Sequence, residues 1–233
     1  MFRWISIIAL FILCSSAYAF KVEPMVAEMR PFGNKAQMSM RIDNTSDKPL
    51  TVELFSYSMT MDKYGEETRV AADDELLVIP ATAIIKPGRS QSVMIRYLGD
   101  PAIAESKAYR VSIKQVQVLR QSEQTAQVGL LFQFNTLINV RPDNTFADLN
   151  VESIQQKGNK WIVPVVNSGK SYGRLTNARL NISDGVKSAL LKGPQISKHI
   201  NGTLVLPNST RYFEMEPLAN FNVETVSIDI SQD

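Results

Sequence analysis

The chain is expected to fold as an all-β protein made of two β-sandwiches in tandem, and three features of its sequence carry that expectation. Beyond the first nineteen residues, apolar side chains recur mostly at every second position, the period of a strand whose side chains alternate between faces. Clusters of turn-forming residues punctuate these runs at short intervals, and one of them, Arg141-Pro142-Asp143-Asn144, separates two series of runs. Almost no segment carries a helical period.

Residues 1–19, MFRWISIIALFILCSSAYA, stand apart from both series. A basic Arg3, an apolar run from Ile5 to Leu13, and small residues at Ala17 and Ala19 are the parts of a secretory signal peptide. The apolar run is about half of the roughly 20 residues that a membrane-spanning helix needs. Cys14 follows Leu13 and not a small residue, so it is read as part of the discarded leader, with the mature chain starting at Phe20. The mature chain then has no cysteine and must be held by its core. A formal charge of +2, with no block of like charges, gives no footing for nucleic acid or a membrane surface. Nothing after the leader is long and apolar enough to span a bilayer, so no membrane insertion is expected after signal cleavage. A soluble protein of the bacterial cell envelope is expected, although the leader by itself would serve a eukaryotic secretory route as well.

Each run in the first series has its own punctuation. Met38, Met40 and Ile42 alternate with Ser39, Arg41 and Asp43 before the turn cluster Asn44-Thr45-Ser46-Asp47-Lys48-Pro49. Leu50 to Met59 follows, then Glu75 to Ile79 closed by Pro80, and Ser92 to Leu98 introduced by Pro87-Gly88. Ala108 to Val118 and Val128 to Val140 are the two longest. This spacing predicts a sandwich of about seven strands in about 100 residues. At Pro142 the ladder must break, because proline has no N–H to give it and Asp-Asn favours a turn. The leader 1–19, a first sandwich over 20–141 and a second over 142–233 are therefore expected. Ala147 to Ile154, Lys160 to Val166, Arg174 to Ile182, Thr203 to Leu206, Arg211 to Met215 and Val223 to Ile230 supply the strands of the second.

Catalytic signatures are missing. His199 is the only histidine and has no Gly-x-Ser-x-Gly elbow to match. A transition-metal centre needs several His or Cys ligands, and the acidic run Asp73-Asp74-Glu75 reads as a solvated turn. Gly33, Gly65 and Gly88 read as turn glycines and not as a phosphate loop. Neither enzymatic activity nor a cofactor is expected.

Four segments resemble the PapD-like periplasmic pilus chaperones. Pro87-Gly88-Arg89-Ser90-Gln91-Ser92-Val93-Met94-Ile95-Arg96 is similar to that family's Pro-Gly turn and outgoing strand. Ala108-Tyr109-Arg110-Val111-Ser112-Ile113 resembles the penultimate strand of its first domain, and Leu137-Ile138-Asn139-Val140-Arg141-Pro142 the end of the last strand with an Arg-Pro hinge. In the second half, Trp161-Ile162-Val163-Pro164-Val165-Val166-Asn167-Ser168-Gly169 and Leu206-Pro207-Asn208-Ser209 match a strand ending in Asn and a later Pro-containing turn. The resemblance implies the periplasm as the location, two immunoglobulin-like sandwiches at an angle with a cleft between them, and a chaperone that lends a strand to incomplete pilus subunits and delivers them to an outer-membrane usher.

Val128, Leu130, Phe132, Phe134, Thr136, Ile138 and Val140 share one face of an extended strand. Thirteen residues would span about 43 Å, well beyond a typical strand of five or six residues, so the N-terminal half is expected to overhang the sandwich. The resemblance makes Val128, Leu130, Phe132 and then Phe134 the side chains inserted into a subunit's groove. The polar stretch 119–127 before them reads as a mobile loop.

The resemblance also implies a basic pocket for the subunit's terminal carboxylate, formed by an arginine on the first strand and a lysine on the last strand of the first domain. Arg30 is the nearest match for the arginine. The lysine position falls near Leu137, and no lysine is there, so Arg110, Lys114 and Arg96 are the substitute cations to consider. The departure points to a divergent branch, such as the alternative or archaic types. The competing expectation is a secreted immunoglobulin-like envelope protein, an adhesin or fibre subunit. A fibre subunit would lack a complete last strand, whereas Val128 to Val140 supplies one.

Overall fold

The computed structural model describes residues 20–117, 130–222 and 224–232. The expected leader 1–19, the loop 119–127 and Val128 lie outside the described residues. In chain order the first strands are β1 (Lys21–Glu23), β2 (Val26–Met29), β3 (Gln37–Asp43), β4 (Leu50–Met61) and β5 (Glu67–Ala71). They are followed by β6 (Leu76–Ile79), β7 (Thr82–Ile85), β8 (Ser90–Tyr97), β9 (Lys107–Val116) and β10 (Gln133–Val140).

These ten strands form two sheets around one core. One sheet runs β1-β3-β8-β6, the other β2-β10-β9-β4-β5 with β7 also on β4. The period of two puts Met40, Ile42, Val93 and Ile95 of the first sheet against Val52, Leu54, Val111, Ile113 and Ile138 of the second, all buried. The N-terminal strand serves both sheets: β1 is antiparallel to β3, and beyond Pro24, which has no N–H for a ladder, β2 is parallel to β10. The acidic run Asp73 to Glu75 is the turn expected, with Asp73 and Asp74 exposed, and two of its carboxylates also hold partners on neighbouring strands. The Asp73 carboxylate accepts the Ser56 hydroxyl, and Glu75 accepts Lys107 Nζ and the hydroxyl of buried Tyr109, each at 2.6 Å. A buried tyrosine needs such a partner for its O–H.

The remaining elements are β11 (Leu149–Val151), β12 (Gln155–Lys157), β13 (Lys160–Asn167), β14 (Gly173–Arg174), β15 (Ala178–Ser183) and β16 (Ser188–Lys192). A six-residue helix α1 (Pro194–His199), β17 (Leu204–Val205), β18 (Ser209–Met215) and β19 (Ser227–Gln232) complete the chain. β13 lies between β18 on one side and β11 and β12 on the other; β16-β15-β19 and β14-β17 form separate sheets. Trp161, Val163, Leu180, Ile182 and Phe213 fill a second core. The fold is all-β, two immunoglobulin-like sandwiches in tandem.

Two departures from the sequence expectations matter. The short helix α1 begins at Pro194, which suits a first helical position, and its buried Ile196 contributes to the second core. The thirteen-residue strand expected at 128–140 is, among the described residues, eight residues long. Its ladder with β9 ends at the bond from Gln115 N–H to Phe132 O, so Leu130 to Phe132 precede the strand.

Candidate functional site

β10 changes character along its length. Thr136, Ile138 and Val140 point into the core and are buried, while Phe134 is half-buried, its ring edge-on to Phe20 at 4.8 Å between centroids. Phe20, Val22, Met25 and Phe134 line a shallow open hollow of about 560 Å³ there. Leu130 and Phe132 keep the parity of that row but are 80% and 38% exposed. The backbone is also open at this end. Even-numbered residues of β10 bond to β9, so the N–H and C=O groups of Gln133 and Asn135 face the other way. β2 covers that edge only from Leu137 to Val140, leaving Gln133 to Thr136 without a partner strand among the described residues.

The four cations occupy three different places. Arg110 lies on β9 directly across from Leu137, the position where a lysine was expected, and is held on the outer face of the sheet. Its Nε (3.2 Å) and Nη2 donate to the Glu67 carboxylate, and Nη1 reaches the Asn135 carbonyl at 3.4 Å. Lys114 shares that face, opposite Gln133 and Glu53, and is exposed. Arg30 sits below β2 at the junction of the sandwiches. It donates to the carbonyls of Arg141 (3.2 Å) and Pro142 (3.4 Å) and pairs with Glu28 and Asp143. Arg96 is exposed on β8, in the opposite sheet, so it is not brought together with the others.

Glu28 organises the junction. Arg141 grips its carboxylate with Nε and Nη2 at 2.8 and 2.9 Å, and the Tyr172 hydroxyl from the second sandwich donates to it at 2.7 Å. Burial works to raise the Glu28 carboxyl, but the Arg141 and Tyr172 hydrogen bonds and the charges of Arg141 and Arg30 outweigh it and hold the pKa below the usual value. Burial and the bond to Glu28 push the Tyr172 hydroxyl up. Around this network Met59, Ala108 and Leu137 of the first sandwich pack with Leu204 of the second. Ser106 N–H bonds to Lys170 O, Tyr172 N–H to Ser106 Oγ, and Tyr212 N–H to Lys63 O at 2.6 Å.

Two charged residues at this site were not singled out in the sequence. Glu67 holds Arg110, and Arg211 of β18 extends its guanidinium to the β4–β5 turn, where it lies against Gly65. The alternation Glu67-Thr68-Arg69 was a visible hint of a paired strand face. Nothing local marks Arg211, because its place against the β4–β5 turn depends on how the two sandwiches meet. Among the described residues no group of His, Cys, Asp and Glu side chains could hold a metal ion, and no helix is long and apolar enough to cross a membrane.

The arrangement defines a class: two tandem immunoglobulin-like sandwiches with an open edge on the last strand of the first. Solved structures of fimbrial chaperones share that fold. The class 5 fimbriae chaperone CfaA has a TM-score of 0.58 at 16% identity, over 92% of this chain and all of that one. A chain of the Salmonella enterica SafA pilin–SafB chaperone complex gives 0.56 at 15%, over 87% and 86%. A chain of the CsuC–CsuE chaperone–tip adhesion subunit pre-assembly complex, from the archaic chaperone-usher Csu pili of Acinetobacter baumannii, gives 0.55 at 15%, over 84% and 89%. At such identities the likeness is one of fold. No protein-family model matches the sequence, and no curated protein does.

Proposed function

We propose that this chain is a periplasmic chaperone for pilus subunits. In this reading residues 20–141 form the subunit-binding sandwich and 142–233 the second. The β10 edge completes the sheet of an unfinished subunit, and the complex is delivered to an outer-membrane usher. The work is binding and release, with no catalytic residue and no cofactor.

The observation that carries the proposal is the edge itself. Leu130 and Phe132 continue an inward-facing row into solvent beside main-chain groups that no strand takes among the described residues. Open, apolar strand edges invite pairing, and natural proteins usually blunt them. Main-chain bonds from Gln133 and Asn135 would supply affinity, and Leu130 and Phe132, with Val128 next in the row, would fill a subunit's pockets. Phe134, already packed on Phe20, would mark the end of the inserted row. Arg110 is the preferred anchor for the subunit's terminal carboxylate, because it sits beside Leu137 and next to the β10 edge. Lys114 on the same face is next; Arg30 and Arg96 are less suited, one being committed to the junction and the other lying on the opposite sheet.

The test is co-expression in a bacterial periplasm with the pilin encoded beside this chain, comparing the wild type with a Leu130→Asp, Phe132→Asp double variant. A soluble one-to-one complex that only the wild type retains, with the variant still folded, is the expected result. Equal retention by both, or none by either, replaces the chaperone reading with a different envelope-binding role.

A further inference from the structure

The cation preferred above as the carboxylate anchor already holds a carboxylate from its own chain. Glu67 on β5 reaches across β4 to Arg110 on β9, and it also takes Nε of Arg69 at 2.9 Å. The side chains of Arg110 and Glu67 are only 18% and 16% exposed, so water screens this pair weakly. Two guanidinium groups on one carboxylate leave positive charge over. A third, Arg211, arrives from the second sandwich and stacks on the Phe213 ring at 4.6 Å, with Nη1 bonded to Leu204 O at 2.7 Å.

The geometry suits exchange. Glu67 lies on β5, the outermost strand of its sheet, whose other residues are exposed, so its side chain can swing without opening the core. If an incoming carboxylate takes Arg110, Glu67 remains paired with Arg69. Neither state then leaves a buried charge unpaired, which is what would make such an exchange costly. A planar fork also accepts one carboxylate as readily as another.

We propose that Glu67 is a built-in competitor: it occupies the Arg110 guanidinium in the free chain and yields it to an incoming C-terminal carboxylate, while Arg211 contributes charge from the facing sandwich. The proposal rests on the chaperone reading for the identity of the incoming chain, but its anion chemistry stands separately.

The test uses the whole mature chain and a probe too short and too poor in apolar side chains to replace a subunit on β10: N-acetyl-Gly-Gly-Ala with a free C-terminal carboxylate, and the same peptide as its amide, which shares any main-chain pairing. Arginine Nε–H resonances are followed by NMR in the wild type and in Glu67→Gln. The Arg110 signal is expected to move with the acid and not the amide, at a concentration at least tenfold lower in Glu67→Gln than in the wild type. Adding Arg211→Gln should weaken that response several-fold. Equal responses from wild type and variant, no response from either, or an equal response to the amide overturns the proposal. Should Glu67→Gln fail to fold, Glu67→Asp, which keeps the charge on a side chain one methylene shorter and so loosens its hold on Arg110, is expected to show a gain in the same direction. A normal peptide response alongside failed pilin capture removes the chaperone reading and leaves the anion site. The reverse removes only the competitor.

Discussion

Phe134 and Phe20 meet edge-on at 4.8 Å, with their ring planes at 75°, and this contact divides the row of apolar side chains leading into β10. On one side of it the row is core; on the other it is surface. Phe134→Ala should cost about 2 kcal/mol, less than the roughly 3–5 typical of a fully buried phenylalanine because this ring is half-buried. Leu130→Ala and Phe132→Ala should stay within about 0.5 kcal/mol. Urea titrations with unchanged slope give the comparison. A Phe132→Ala cost equal to that of Phe134→Ala means that the row packs on its own chain.

The junction is expected to respond to the loss of a single acceptor. Glu28→Gln keeps the shape but leaves one oxygen where Arg141 and Tyr172 now find two. The expected loss is about 1–2 kcal/mol, and about 1 for Tyr172→Phe. The sharper observable is cooperativity. If this network couples the sandwiches, calorimetry of Glu28→Gln should resolve two unfolding transitions where the wild type has one.

Acid should weaken the protein through three carboxylates. Hydrogen bonds from Lys107 and Tyr109 lower Glu75. In Glu67, as in Glu28, burial acts to raise the pKa but is outweighed, here by the bonds and charges of Arg110 and Arg69. A carboxyl lowered on folding adds stability above its unfolded value of about 4.3, and that stability is lost as the pH falls through the folded value. Stability should therefore drop between about pH 5 and pH 3, with a shallower slope in Glu75→Gln. An unchanged slope would mean that Glu75 titrates alike in both states.

Gly65 and Gly88 separate backbone strain from contact. Both have positive φ, 91° and 63°, so alanine should cost about 1 kcal/mol at either. A Cβ at Gly88 meets nothing, whereas at Gly65 it would lie 2.7 Å from Nη2 of Arg211. Gly65→Ala should therefore cost about 1 kcal/mol more, because the guanidinium gives up its bond to Leu204 O in moving away. In the Arg211→Ala background that extra cost should vanish, which a double-mutant cycle measures.

Much of the fold was legible because strand period and turn chemistry are local. Met38 to Ile42, Leu50 to Met59 and Lys160 to Val166 all lie within strands, and Gly65 and Gly88 are turn glycines with positive φ, while Gly33, also at positive φ, opens a short 3-10 helix instead. Asn167 was legible as the end of a strand, and its buried amide has a reason to be there. It accepts from Asp148 and Gly169 N–H and donates to the carbonyls of Ser171, Val205 and Leu206, closing a bend that no apolar side chain could satisfy. Edge elements such as β5, with Glu67 to Ala71 largely exposed, were missed because they bury too little to show a period.

By itself the sequence determined which stretches extend, where the ladder must break, and which apolar row leads into the last strand of the first sandwich. Each follows from side-chain alternation, from proline's missing N–H, or from the turn preference of a few residues. Tertiary structure alone decided that this row leaves the core between Phe134 and Phe132. It also set Arg110 beside Leu137, bound Arg30 into the junction, and brought Arg211 to the turn before Glu67. Ion pairs and free edges depend on which strands lie side by side and on how the sandwiches meet. Those relations join residues far apart in the chain, and no local period records them.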